Sequence, residues 1–195
     1  MMQVRAEMKD KPALRREAMT RRDALSGDER ERGSLAIAAR CSALLAVLRP
    51  RAIAGYLPIR SEVDPRPILE RARTARAVIA LPAVTGPATM VFRRYGADEK
   101  MTIGDFGTLA PTEAAPIVEP DLIILPVVAF DRLGTRLGHG RGFYDRAIAA
   151  MEHRPLLIGV AFSVQEVSLI PRQAHDVRLD WIVTESEVID FRGNA

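Results

Sequence analysis

Five short, continuously apolar runs constrain this chain more than any other feature. They are Ala52–Leu57, Ala77–Leu81, Leu122–Leu125, Leu156–Val160 and Trp181–Val183. A strand exposed on one face alternates apolar and polar residues. Runs without alternation suit strands covered on both faces, as in a parallel sheet. Parallel strands need crossover connections, and helical patterns lie between several of the runs. Pro67–Arg73 is one, just after Asp64 and Pro65, which suit a helix start. Phe143–Glu152 is another. The alternation predicts a single α/β domain over residues 1–195, with three α/β/α layers around a mostly parallel sheet. Met90–Tyr95 reads as an extra strand or hairpin arm. Gly96–Pro120 reads as a long loop, and long loops in compact domains are often functional.

Two helices are expected ahead of the first strand. Lys11–Leu25 places Leu14, Ala18 and Leu25 on one face. Ser26-Gly27-Asp28-Glu29 has the spacing of a capping box. A second helix then runs to about Leu48, with Leu35, Ala38, Ala39, Ser42 and Leu45 at helical spacing, and Pro50 stops it. Cys41 lies among these residues and reads as packing. Trp181 reads as core or pocket wall, and Met90 and Met101 as packing.

Composition excludes several classes. Apolar residues make up 48% and charged residues 27%, the balance of a globular chain. No apolar run approaches the roughly 20 residues that span a bilayer. The charged start MMQVRAEMKDKPALRR has no apolar core of a secretory signal. One cysteine allows no intrachain disulfide and fits a reducing, cytoplasmic setting. Net charge is +3 and the pI about 9.4, with Arg and Lys concentrated between Arg5 and Arg40. Such an arm suits nucleic acid, a membrane surface or a polyanionic small molecule. The same stretch carries Glu17, Asp23, Asp28, Glu29 and Glu31, so a solvated helix face accounts for most of it. Lys11 and Arg15 are the exceptions.

Chemistry concentrates between Gly134 and Asp145. An apolar run ending in Leu125-Pro126-Val127-Val128-Ala129-Phe130 delivers the chain to one end of the sheet. Gly134, Gly138, Gly140 and Gly142 then fall within nine residues, and a helix follows. Ligands of open α/β sheets sit beyond the carboxyl ends of the strands. Glycines let backbone N–H groups approach phosphate oxygens. Arg136, Arg141 and His139 add charge and donors. The segment lacks the Gly-Lys-Ser/Thr of a P-loop. It also fails the dinucleotide fingerprint, because Phe143 stands where the third glycine belongs. Asp145 beside such a loop suits a Mg²⁺ site, since that ion takes one or two carboxylates plus phosphates and water. Helix capping suits it as well. Asp180, just before the last apolar run, is a candidate to reach the same metal across the sheet end.

These residues carry a resemblance. Arg136-Leu137-Gly138-His139-Gly140-Arg141-Gly142-Phe143-Tyr144-Asp145 resembles the signature Arg-Leu-Gly-x-Gly-x-Gly-Tyr-Tyr-Asp of the 5-formyltetrahydrofolate cyclo-ligase family. The preceding Leu-Pro-Val-Val-Ala-Phe-Asp is also typical. So are Lys11-x-x-Leu14-Arg15, Glu62-Val63-Asp64, and His175-Asp176 with Asp180. The resemblance covers nearly the full length. It implies a fold like that of the sugar-phosphate isomerase and CoA-transferase group. It implies ATP-dependent conversion of 5-formyltetrahydrofolate to 5,10-methenyltetrahydrofolate, with Mg²⁺, by a monomer with no nucleic-acid or membrane partner. It implies that Lys11, Arg15, Arg136 and the loop Gly138 to Tyr144 bind ATP. The stretch from His139 through Gly140, Arg141 and Gly142 to Phe143 would also meet the folate, along with Ile59 and Asp64. Arg136, Arg141 and Tyr144 would serve catalysis, and Asp145 and Asp180 would hold Mg²⁺. Phe143 departs from the usual tyrosine, which removes a hydroxyl but keeps an aromatic wall. Two readings compete with this one: a homologue that binds without turnover, and a basic nucleic-acid-binding module. The second lacks stacking motifs and a recognition element.

Overall fold

The computed structural model describes residues 9–96, 98–104, 108–173 and 176–193. Its centre is a seven-stranded sheet in the order β11-β10-β9-β6-β1-β2-β3. The strands are β1 (Ala52–Ala54), β2 (Val78–Val84), β3 (Met90–Arg94), β6 (Leu122–Pro126), β9 (Leu156–Val160), β10 (Trp181–Val183) and β11 (Val188–Asp190). The five inner strands are parallel, and β3 and β11 pair antiparallel at the two edges. The expected mostly parallel α/β sheet is therefore present.

Both faces of the sheet are apolar because its runs do not alternate. Leu122 and Ile124 point to one core with Ile53, Ile79 and Ile158, under α2 (Gly27–Leu48) and α3 (Arg66–Thr74). Ile123 and Leu125 point to the other, with Phe92, Phe130 and Ile148 of α4 (Phe143–Ala149). Cys41 is buried in the first core, where burial pushes its thiol up to about 12, so it packs as an inert small hydrophobe.

α2 has the capping box its sequence predicts. Ser26 Oγ accepts from Glu29 N, and the Glu29 carboxylate accepts from Ser26 N. The face of α2 differs from expectation. Ile37, Ala38, Cys41 and Leu45 are buried, whereas Leu35 is 54% exposed and Ala39 points outward. α1 (Lys11–Asp23) stands apart from the main cores. Its Leu14 and Ala18 pack on Ala129, Leu137, Val167 and Ile170.

Three boundaries also differ. β1 ends at Ala54 rather than Leu57: Gly55 N–H still bonds Ala80 O, but Tyr56 turns away and its hydroxyl donates to Val63 O. The stretch read as a long loop contains a hairpin, β4 (Met101–Ile103) and β5 (Leu109–Pro111). α4 ends at Ala149 rather than Glu152: Ala150 caps it with its N–H on Arg146 O, and Glu152 N–H is taken by the Glu119 carboxylate.

Candidate active site

One cleft of about 800 Å³ opens beyond the carboxyl ends of β1, β2 and β6. That is the size of a small-molecule site. The glycine segment forms one side. It is less of a loop than the sequence suggests. β7 (Ala129–Phe130) and β8 (Arg136–Leu137) make a hairpin, tied by buried Asp131, whose carboxylate accepts from Leu133, Thr135 and Ile170 N–H groups. The open loop is the remainder, Gly138 to Gly142. Gly140 and Gly142 take left-handed backbone, with φ of 92° and 66°, which glycine adopts at least cost. Arg146 closes the loop from behind, donating to Arg141 O at 2.8 Å and Ala88 O at 2.9 Å.

α1 brings its cations here because its apolar stripe seats on the hairpin. Arg15 Nε donates to Gly138 O at 2.8 Å, and its guanidinium lies over Gly140. Lys11 Nζ donates to Asp176 at 2.6 Å and Gln173 at 3.1 Å. Arg136, 6% exposed, donates to Asp145 Oδ1 at 2.8 Å and to Val177 O. Asp145 Oδ1 also accepts Val177 N–H. Asp145 Oδ2 has no hydrogen-bond partner among the described residues. A half-used carboxylate among cations is a donor set suited to a hard divalent ion shared with phosphates. Among the described residues, no group of three or more His, Cys, Asp or Glu side chains forms a metal cluster.

The other side is a turn after β1. Ile59 O accepts Glu62 N–H, Glu62 Oε2 accepts Ile59 N–H, and Arg60 between them takes left-handed backbone. The turn aims Glu62 inward, where its side chain is 5% exposed and Oε1 meets His139 Nε2 at 2.9 Å. Burial pushes the Tyr144 phenol above its ordinary range, and the Glu62 carboxylate pushes it further, so Tyr144 is a neutral wall at physiological pH. The β4–β5 hairpin supplies an apolar flank through Leu109, Ala110 and Pro111.

The structure thus gathers Lys11, Arg15, Ile59, Arg136, Gly138, His139, Gly140, Arg141, Gly142, Phe143, Tyr144 and Asp145 at one cleft. It does not bring two other expected residues there. Asp180 precedes β10 and lies level with Leu157, at the amino ends of the parallel strands, opposite the cleft. Its carboxylate is taken by Arg154 at 3.0 Å and by Leu157 N–H at 2.7 Å. Asp64 faces α3: it accepts from Arg66 N and from the Arg66 guanidinium. Burial pushes the Asp64 carboxyl up, but Arg66 outweighs it and holds it below its ordinary range. Glu62 stands at the cleft instead, and so does Asp176. His175 lies outside the described residues.

Comparison with known proteins decides the class. The model of the 5-formyltetrahydrofolate cyclo-ligase family matches residues 7–185. The chain belongs to that family. It is 28% identical to the 5-formyltetrahydrofolate cyclo-ligase of Escherichia coli K12, over 88% of this chain and 98% of that protein. It is similar in structure to the 5,10-methenyltetrahydrofolate synthetase of Aquifex aeolicus, with a TM-score of 0.81, 33% identity and coverage of 93% and 92%. The corresponding synthetase of Mycoplasma pneumoniae gives a TM-score of 0.75 at 26% identity, covering 91% of this chain and 99% of that one. The chain is therefore an enzyme of the cyclo-ligase class, and ATP-dependent formation of 5,10-methenyltetrahydrofolate from 5-formyltetrahydrofolate is its reaction.

Proposed function

We propose that the two sides of the cleft divide the reactants. ATP phosphates bind on the side of Lys11, Arg15, Arg136 and the Gly138–Tyr144 loop, and the formyl-folate binds against Ile59, Glu62 and the β4–β5 flank. The observation that carries this reading is the difference between the sides: Lys11, Arg15 and Arg136 around open glycine backbone on one, the buried Glu62 carboxylate with Tyr56 and the β4–β5 flank on the other, over a floor that includes Arg22. Phosphates are attracted to the first and repelled by Glu62 on the second.

An N-formyl group is amide-like and a poor electrophile. Its oxygen attacks the γ-phosphorus, ADP departs, and the formyl carbon acquires a phosphate leaving group. N10 then attacks that carbon, loses its proton, and phosphate leaves with the former formyl oxygen. The product is the cyclic 5,10-methenyl cation. Such a transfer needs positioning and charge neutralisation more than a side-chain nucleophile. Lys11 and Arg15 hold the phosphates, and Arg136 and Arg141 neutralise charge on the transferring group. Tyr144 and Phe143 wall off water, and His139 is released from Glu62 when the folate arrives. Asp145 would hold Mg²⁺ together with phosphate and water oxygens. When bound, that ion supplies charge neutralisation at the phosphates. The enzyme acts as a monomer in the cytoplasm, on folates with one or more glutamates.

One assay tests the reading. Purified protein with 5-formyltetrahydrofolate and Mg-ATP should generate methenyltetrahydrofolate absorbance, with no rise when ATP is omitted. Folded protein that yields no absorbance under these conditions refutes it.

A further inference from the structure

α1 buries Leu14, Ala18 and Arg22 at intervals of four, so an arginine occupies a position where the stripe calls for an apolar residue. Its side chain is 1% exposed, yet it forms part of the cleft floor. One edge of the guanidinium is anchored. Nε donates to Ser61 Oγ at 2.9 Å, the Ser61 hydroxyl donates to Asp23, and Nε lies 3.7 Å from Asp23 Oδ1. The other edge is not. Nη1 is buried and has no hydrogen-bond partner among the described residues. A buried charged donor without an acceptor is costly, more so than an apolar residue in the same space. The cost is offset where a ligand supplies the acceptor.

The surroundings select the ligand group. Ser61 and Glu62 are consecutive on the turn that aims Glu62 inward. Tyr56 lies near both charges and feels them in opposite senses. The floor thus offers a carboxylate and a guanidinium around an aromatic wall. A phosphate suits the guanidinium but is repelled by Glu62. A planar heterocycle with donors and an acceptor on one edge satisfies both. The 2-amino-4-oxo edge of a pteridine has that character: the amino group and N3–H are donors, and O4 accepts.

We propose that Arg22 reads the lactam oxygen of the substrate's pteridine ring. The proposal rests on the functional reading above and adds a specificity-determining residue to it. The test compares 5-formyltetrahydrofolate with its 2,4-diamino counterpart, in which an amino group replaces O4, on wild type and Arg22→Leu. Leucine continues the stripe, so melting temperature should hold or rise. The affinity for the oxo compound should fall by about 10- to 100-fold, the relative preference for it should fall by a similar factor, and KM for ATP should stay within about threefold of wild type. An unchanged oxo-over-amino preference in folded Arg22→Leu overturns the proposal. So does a lower melting temperature with unchanged affinity, which marks a structural arginine. A readout without any variant covers a chain that fails to fold. The Arg22 guanidinium proton resonance should shift and gain exchange protection with 5-formyltetrahydrofolate and not with Mg-ATP. No shift with the folate overturns the proposal. Wild type that turns over neither compound refutes the functional reading instead.

Discussion

The two ends of the parallel sheet handle charge in opposite ways. At the amino ends, Asp121 accepts the N–H groups of Arg51 and Ala52 at 2.8 and 3.1 Å, and Asp180 accepts Leu157 N–H and the Arg154 guanidinium. Both carboxylates fasten the start of a neighbouring strand and satisfy their own charge doing so. At the carboxyl ends, Asp145 uses one oxygen on Arg136 and Val177, and Arg22 leaves Nη1 unpaired. A buried unpaired donor such as Nη1 costs stability, whereas the unpaired Asp145 oxygen is on a partly exposed side chain and is open to a ligand. The concentration of unpaired groups at one end marks where a ligand completes the hydrogen bonding, and the saturated end marks where the fold needs none.

Substitutions at the two ends should therefore fail differently. The largest effect is expected at Asp145→Asn, which keeps an acceptor for Val177 N–H but removes the charge. Its kcat/KM should fall on the order of 10²-fold, far more than the loss of the Arg136 charge pair changes its stability; steady-state kinetics and thermal unfolding decide this. Equal turnover would remove Asp145 from the site. Next is Glu62→Gln, which should raise KM for the folate by about tenfold with little change for ATP. A rise in KM for ATP instead would break the proposed division of the cleft. Asp180→Asn should do the reverse of Asp145→Asn. Denaturant unfolding should report a loss of about 1–3 kcal/mol with turnover retained, and lost turnover at unchanged stability would erase the contrast between the ends.

The smallest effect is at the sheet edge. Hydrogen bonding to Arg192 holds the Asp190 carboxyl at about 2. A depressed carboxyl contributes stability above its unfolded value of about 3.9. That contribution is lost as pH falls through the folded value. The melting-temperature gap between wild type and Asp190→Asn should therefore be widest near neutrality and narrow steadily in acid. A gap independent of pH would assign it to packing against Trp181, over which Arg192 stacks at 4.0 Å.

The sheet was legible because its strands are continuous apolar runs, and their lack of alternation follows from having a core on each face. The β4–β5 hairpin was not, because its three-residue strands are short and β4 is largely exposed, leaving little pattern to read. Leu35 was misread because α2 is apolar on more than one side. At the site, the glycine segment and Asp145 were readable from chemistry in sequence order. Asp180 was misplaced although the signal was present: a residue just before a parallel strand lands at the amino end, and ligands collect at the carboxyl end. Asp64 and Glu62 differ for another reason. Both follow β1, and a turn with one left-handed residue decides which carboxylate faces inward. Arg22 left one trace, a charge in an apolar stripe.

In the proposed reaction ATP phosphorylates the formyl oxygen, and N10 closes the ring as that phosphate leaves. The most direct measurement uses 5-formyltetrahydrofolate carrying ¹⁸O in the formyl group, with Mg-ATP and the purified enzyme, and follows the released phosphate by ³¹P NMR. Each phosphate formed with the methenyl product should carry the label. Phosphate released without ¹⁸O, alongside normal ring closure, would contradict that reaction.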